Sequence, residues 1–357
     1  MKNKYRILVI NPGSTSTKIA LFENYTSILN ESIFHSKDEL KKFKHISQQH
    51  SFRTEIIENF FQQNNITLDS LHAIVGRGGL LRPIPSGTYR VNKTMLRELA
   101  KGTRGEHASN LGAIIAQDLA SEVNIPAFIV DPVVVDELED IARITGIKEL
   151  KRRSILHALN QKAVARKAAN ELGKKYSQLN FIVAHMGGGI TVGSHFKGKI
   201  IDVNDGLSGD GPFTPERSGG LPTLPFLELC YSAKFSREEM TKKLLEQGGM
   251  TAYLGTSDMC IIRERIDKGD KEAEKYYQAM AYQVAKEIGL SATVLKGKVD
   301  GIVLTGGLAF DKSFIALIKE RVSWIARIFV YPGEMEMEAL AAGAVRVLQG
   351  EEEVKEY

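Results

Sequence analysis

The sequence predicts a duplicated α/β protein, two domains each built on a mixed sheet. Three observations predict it. The chain has 357 residues, more than one ordinary core holds. A strand, Gly/Ser/Thr turn, strand pattern near the start, "VINPGSTSTKIALFENYTSI", returns around Met186 as "FIVAHMGGGITVGSHFKGKIIDVND", with Gly187 about half a chain after Gly13. Behind each of these openings, strands then alternate with helical stretches.

The first half opens with strands over residues 5–10, 17–22 and 27–34. Its turn contains a lysine and resembles a phosphate-binding loop. A P-loop, however, needs G-x-x-x-x-G-K-[ST] followed by a helix whose positive end meets the phosphates. Here Lys18 follows Thr17, no second glycine precedes it, and residues 17–22 alternate like a strand. The turn therefore belongs to a hairpin. A helical stretch over 38–61 leads to a strand at 71–75, a helix at 108–121 and a strand at 127–130. Gly146 and the run Lys151, Arg152, Arg153 mark the joint, which predicts a first domain over 1–150 and a second over 151–339. The second half repeats the scheme: strands at 181–184, 190–195 and 200–203, a helical stretch at 261–295, a strand at 301–304, a helix at 312–325 and a strand at 327–330. The final helix, 335–348, is expected to cross back, so that about 340–357 joins the first domain. The acidic tail 351–357 is expected to fray.

Composition narrows the class. With 43% hydrophobic and 25% charged residues, the chain reads as a soluble globular protein. The net charge of +4 is spread along the chain, which gives nucleic acid no support and suits small anionic ligands. Cys230 and Cys260 fall in different predicted helices without metal-ligand spacing and are expected to be reduced core thiols. The N-terminus is basic, but the apolar run Ile7, Leu8, Val9, Ile10 is far short of a signal peptide's core. No stretch approaches the ~20 apolar residues of a membrane span. A cytoplasmic protein with small-molecule partners is expected, binding neither membrane nor nucleic acid.

Two matched hairpins at half-chain spacing resemble the duplicated ribonuclease-H-like fold of the actin, sugar-kinase and heat-shock-chaperone superfamily. That resemblance implies an interdomain cleft in which each half offers a Gly-rich turn to phosphates. Turns without bulky side chains let backbone N–H groups approach phosphate oxygens, and two facing turns can grip one polyphosphate. More specific stretches follow in order along nearly the whole chain: "NPGSTSTK", "RRSILHALNQKA", "HMGGG", "TPERSGGLP", "GTSDM", "VLTGGLAF" and "PGEMEMEALAAG". Together they resemble the acetate and butyrate kinase family. "VGRGGLLRPIPSGTY" and "DPVVVDEL", with a chain shorter than is usual for acetate kinases, resemble its butyrate and branched-chain fatty acid kinases.

The resemblance implies ATP-dependent phosphorylation of a short-chain carboxylic acid, with magnesium, in a homo-oligomer. A short-chain acid with a pKa near ~4–5 is ionised at pH 7 and needs no general base. It needs charge neutralisation, because two like unit charges in contact repel by several kcal/mol at an effective dielectric of about 20. Arginine suits this task, being permanently charged and bidentate toward carboxylate and phosphate. Arg77, in Gly-Arg-Gly-Gly after a predicted strand, is implied to bind the acid; taken alone it reads as a surface charge. Arg217, otherwise a loop ion pair, is implied to clamp the moving phosphoryl group. His157, by default a core histidine, is implied to donate a hydrogen bond to that group. Asp131, otherwise a turn-forming Asp-Pro, is implied to orient an arginine or to hold magnesium through water. Asn11 and Glu336 are the implied magnesium contacts, with Glu334 and Glu338 close by in sequence. Gly13, Ser14, Lys18, His185, Gly187, Gly188 and Gly189 would meet the phosphates. Asp258, Met259, Gly306 and Gly307 would frame the adenosine, although Cys260 stands where acetate kinases usually carry an arginine.

Two positions bear on the acyl group. Acetate kinases place a valine two residues after the substrate arginine and a phenylalanine before the helix histidine, whereas this chain has Gly79 and Leu156. Lost volume there is expected to admit a longer acid. Two more buried methylenes are worth roughly 1.6 kcal/mol, more than tenfold in preference. Butanoate is therefore the expected substrate, with acetate, propionate and isobutyrate as alternatives. A sugar kinase would need an aspartate base, and the first strand here ends in Asn11. A non-transferase ATPase of the superfamily normally adds a peptide- or DNA-binding domain, for which no residues are left over.

Overall fold

A computed structural model describes residues 4–357. Residues 1–3, where the basic N-terminus begins, lie outside the described residues. The chain divides into two units, Met1–Val135 with Met335–Tyr357, and Asp136–Glu334.

The first unit carries β1 (Arg6–Pro12), β2 (Ser16–Glu23), β3 (Thr26–Phe34), β4 (Ala73–Gly76), β5 (Thr88–Arg90) and β6 (Ala127–Val130). They form one sheet in the order β3-β2-β1-β4-β6-β5. β1, β2 and β3 pair antiparallel, whereas β1, β4 and β6 run parallel. Ile7 to Ile10 are all fully buried, the continuous apolar run of a strand covered on both faces. The helices Asn110–Glu122 and Glu336–Leu348 supply the cover, each packing across β1, β4 and β6.

The second unit carries β7 (Asn180–Met186), β8 (Ile190–Phe196), β9 (Lys199–Val203), β10 (Gly301–Gly306) and β11 (Ile328–Pro332), ordered β11-β10-β7-β8-β9. β7, β8 and β9 are antiparallel, and β7, β10 and β11 are parallel. The order β9-β8-β7-β10-β11 thus repeats β3-β2-β1-β4-β6 in sequence and sense. Helix Ala158–Glu171 packs on β7 and β10, and helix Lys271–Val294 on β7, β8 and β9.

Several expectations need correction. Residues 136–150, expected before the joint, lie with the second unit. Glu137 accepts from Lys162 Nζ at 2.8 Å and from the Ile200 N–H at 2.9 Å, and Arg152 Nη2 donates to the Val203 carbonyl at 3.0 Å. The tail does not fray. Lys355 bridges to the edge strand β5, donating to the Thr88 carbonyl at 2.8 Å and accepting from the Arg90 N–H at 3.0 Å. The Tyr357 hydroxyl meets Glu98 and the Arg82 N–H. Cys230 and Cys260 are free but exposed rather than core residues. Cys230 sits on helix Thr223–Tyr231, which buries none of its side chains, and Cys260 in the first turn of helix Met259–Asp267, whose buried residue is Ile262. The stretch 38–61 is broken into a short helix, a 3-10 turn and helix His50–Gln63. Among the elements that were not expected are the short strand β5 and helix Lys93–Lys101, capped by Asn92 and ended by left-handed Gly102.

Candidate active site

In the first unit, β1 and β4 end together. Ile10 pairs with Gly76, and the Arg77 N–H donates to the Ile10 carbonyl at 2.8 Å. β2 returns antiparallel and sets Lys18 opposite Asn11. Asn11 Nδ2 donates to Glu336 Oε2 at 2.9 Å, and Arg77 Nη1 forms an ion pair with Glu336 Oε1. The Arg77 and Glu336 side chains are only 17% and 13% exposed, so solvent screens this pair weakly. Burial pushes the Glu336 carboxyl up. The charge and hydrogen bond of Arg77, the hydrogen bond of Asn11 and the charge of Lys18 outweigh it and hold the group below its usual value. Glu336 also opens helix Glu336–Leu348, whose N-terminus favours a carboxylate. Of the neighbouring glutamates, Glu338 is exposed, and Glu334 belongs to the second unit, where its Oε1 lies 3.7 Å from His185 Nε2.

In the second unit, the turn between β7 and β8 closes with the Gly187 N–H donating to the Gly189 carbonyl at 3.0 Å. His185, near the end of β7, stacks on His157 with ring centroids 3.8 Å apart and planes 8° from parallel. A Cβ at Gly189 would lie 2.6 Å from Arg217 Nη1 and 3.4 Å from His157 Cε1. Glycine there lets the turn's backbone touch both side chains. Arg217 Nη1 donates to the Gly206 carbonyl, and the Arg217 N–H donates to Thr214 Oγ1 at 3.0 Å. The structure thus gathers Arg217, His157, His185 and the glycine turn. A guanidinium and two imidazoles over bare backbone can hold a phosphate-like anion. At Gly189 the turn has room for backbone but not for a side chain, whereas Gly187 and Gly188 meet nothing closer than ordinary contact distance.

Other residues are held elsewhere. Asp131 is buried with φ of 37°, a strained value for a non-glycine residue at a strand end. Its Oδ1 accepts from the Gly87 N–H at 2.7 Å, fixing that turn. Asp258 caps helix Met259–Asp267, accepting from the N–H groups of Cys260 at 2.8 Å and Ile261 at 3.3 Å, and Met259 packs against the core. Gly306, at φ of 90°, exchanges backbone hydrogen bonds with Gly333; a Cβ on it would lie 2.3 Å from the Met186 carbonyl oxygen, whereas Gly307 has open space. The Gly13 N–H donates to the Ser16 carbonyl at 2.8 Å, and Ser14 is exposed.

The expectation at Gly79 is corrected. Its missing side chain does not leave open volume: a Cβ would lie 2.3 Å from Asn110 Oδ1 and 2.6 Å from Asn110 Cα. Nor does Gly79 adopt a positive φ. The glycine lets the start of helix Asn110–Glu122 close on the Arg77 loop, where Asn110 Oδ1 accepts from the Leu80 N–H at 2.8 Å. Leu156 is buried in the second unit, 2% exposed.

Two residues escaped the sequence. Arg53 is fully buried, and its guanidinium donates to the carbonyls of Gly13 and Ser16, to Thr17 Oγ1 and to Gln49 Oε1, all neutral acceptors within 3.1 Å. Burial pulls it down to about 10, so it stays charged at pH 7 directly beneath the first turn. The signal was present: Arg53, Ile57, Phe60 and Phe61 are the buried residues of that helix, at i, i+4, i+7 and i+8. His107, exposed as a residue, is held below the usual histidine value by desolvation of its ring first and then by the charges of Arg77 and Arg53.

The fold is a two-unit α/β fold with mixed sheets. It is similar to acetate kinase from Porphyromonas gingivalis (16% identity, TM-score 0.77, covering 96% of this chain and 99% of that one). It is also similar to a propionate kinase from Francisella tularensis (20%, 0.73, 95% and 98%) and to acetate kinase from Entamoeba histolytica (16%, 0.74, 95% and 98%). At these identities the likeness is one of fold. The model of the acetokinase family matches residues 139–323, more than half of the chain, and the chain belongs to that family. Its class is therefore that of ATP-dependent kinases acting on a carboxylate.

Proposed function

We propose that the protein transfers the γ-phosphoryl group of ATP to butanoate, giving butanoyl phosphate and ADP. The observation that carries the reading is the preorganised arginine at the end of β4. Arg77 is largely buried, oriented by Glu336 and flanked by Asn11 and Lys18. Its pair with Glu336 engages Nη1. The other guanidinium N–H groups are those a substrate carboxylate would use. The acid arrives ionised, so the protein supplies charge and position rather than a base.

Arg217 and His157, against the Gly189 backbone, would bear on the phosphoryl group as its charge spreads during in-line transfer, while Gly187, Gly188 and Gly189 seat the nucleotide phosphates. Asp131, by fixing the Gly87 turn, would act on positioning. Magnesium, when bound, would neutralise phosphate charge. Asn11 and Glu336 fit an outer-shell role, since both Glu336 oxygens are already engaged by Arg77 and Asn11 and would meet the hydrated ion through water.

Butanoate is favoured over acetate by the segments around Arg77 and Asp131 and by Leu156 in place of phenylalanine; Gly79 no longer contributes. Hydroxamate formation from ATP, hydroxylamine and a panel of acids tests this. Butanoate is expected to exceed acetate in kcat/KM by about tenfold, from ~0.8 kcal/mol for each added methylene. Preference for acetate would overturn the butanoate assignment, and no product from any short-chain acid would overturn the kinase reading.

A further inference from the structure

We infer that Thr191 and Gln161, backed by His195, are positioning residues that hold His157 in its Nε2–H tautomer and so make it a donor. The role in turnover rests on the kinase reading above; the hydrogen-bond chain itself does not. Gln161 Nε2 lies 3.1 Å from the Thr191 carbonyl oxygen and 2.8 Å from Thr191 Oγ1. Of the two ends of an amide only the N–H can face a carbonyl oxygen, so the amide nitrogen must point to Thr191 and Oε1 to His195, whose Nε2 is 3.0 Å away. His195 therefore donates from Nε2, and its Nδ1 accepts from the Tyr176 hydroxyl at 2.6 Å. Burial favours this neutral ring, as do the charges of Lys162 and Arg166.

The direction then propagates outward. Thr191 Oγ1 already accepts from Gln161, and its own hydrogen has His157 Nδ1 at 2.9 Å as acceptor. Thr191, Gln161 and His195 are all fully buried, so water cannot take that hydrogen instead. His157 Nδ1 must accept, which leaves its proton on Nε2.

The stacked neighbour obeys the same rule. Thr305 Oγ1 donates to the Gly333 carbonyl at 3.1 Å and accepts from Asn160 Nδ2 at 3.2 Å. That orients the Asn160 amide, whose nitrogen also lies 2.8 Å from His185 Nδ1. Both imidazoles are thereby read as Nε2–H donors.

Gly193 gives an independent observation. It interrupts the middle of β8, where glycine weakens a strand. A Cβ there would lie 2.4 Å from Gln161 Oε1 and 3.2 Å from His195 Nε2. The strand gives up a side chain at the point where the chain of hydrogen bonds needs the room.

The test is ring-nitrogen NMR of histidine-labelled protein without ligands, with the His157 signal assigned by its loss in His157→Asn. The expected result is an Nε2–H tautomer. Thr191→Val, which removes the hydroxyl donor, should shift that signal toward Nδ1–H or the charged ring. It should also lower kcat by about 10–100-fold, taking the range for partners that orient metal-ligating histidines as the guide, with KM for ATP and acid little changed. Thr191→Ser should restore both, and it keeps the test decisive if the valine variant fails to fold. An Nδ1–H tautomer in the unaltered protein would overturn the network. A shifted tautomer with unchanged kcat would overturn its role in turnover. The expected tautomer in a protein inactive on every acid would instead count against the kinase reading alone.

Discussion

Gly79, without a side chain, has some of the tightest surroundings in the Arg77 loop. Valine there would drive a branched Cβ into the Asn110 backbone at the start of a helix that packs on three strands. Overpacking of this kind costs about 1–3 kcal/mol, a loss of roughly 1–4 °C in Tm for a chain of this size. Gly79→Val is expected to lower Tm and to reduce turnover of butanoate and acetate alike, leaving their kcat/KM ratio within about twofold. A selectivity moving toward acetate at unchanged Tm, seen by calorimetry and steady-state kinetics, would mean that the residue lines the acid's pocket after all. The sequence showed a missing side chain but could not show what fills its place, because Asn110 comes from a distant segment. Arg53 was missed for the opposite reason. A lone arginine among polar helix residues reads as solvated, and only the spacing to Ile57, Phe60 and Phe61 places it inside. Asn11, Lys18, Arg77 and Glu336 were legible as individuals through motif likeness; their hydrogen-bonded grouping needed the register of β1, β2 and β4.

Elements built on short-range pattern were the most legible. Both hairpins, the parallel strands behind them and the final helix follow from apolar runs and glycine turns. The tail was not legible, because an acidic run carries no sign of pairing with the edge of β5. The buried histidines have a consequence at this scale. His195 sits between Tyr176 and Gln161, and its pKa in the folded state is well below the ordinary value. The unfolded chain therefore binds its proton first, and stability should fall as pH drops below about 6.5, until the folded-state value is reached. His35, also buried, is displaced in the same direction, by burial first. Glu287 acts in the opposite sense. Burial and the charge of Asp210 push it up to about 7, so its protonation favours the folded state as pH falls. The comparison that isolates His195 is His195→Asn against the unaltered protein, by urea midpoint from pH 8 to 5.5. The variant should show the shallower decline; equal slopes would mean that His195 is not buried neutral.

At the scale of the molecule, one unit is continuous in sequence and the other is not. Residues 136–334 hold the whole of their sheet and its helices, whereas the first unit needs Met335–Tyr357 to cover β1, β4 and β6. Produced alone, 136–334 is expected to unfold in one cooperative transition, while 1–135 should show weak amide protection in β1. Full protection of β1 without the final helix would contradict this. The helix buries Met337, Leu340, Ala341, Ala344 and Val345. During translation those side chains are made only after the whole of 136–334. From the moment β6 leaves the ribosome until this helix follows it, the nascent first sheet must wait with one apolar face open, and holding factors that shield such faces have a window on this chain in that interval.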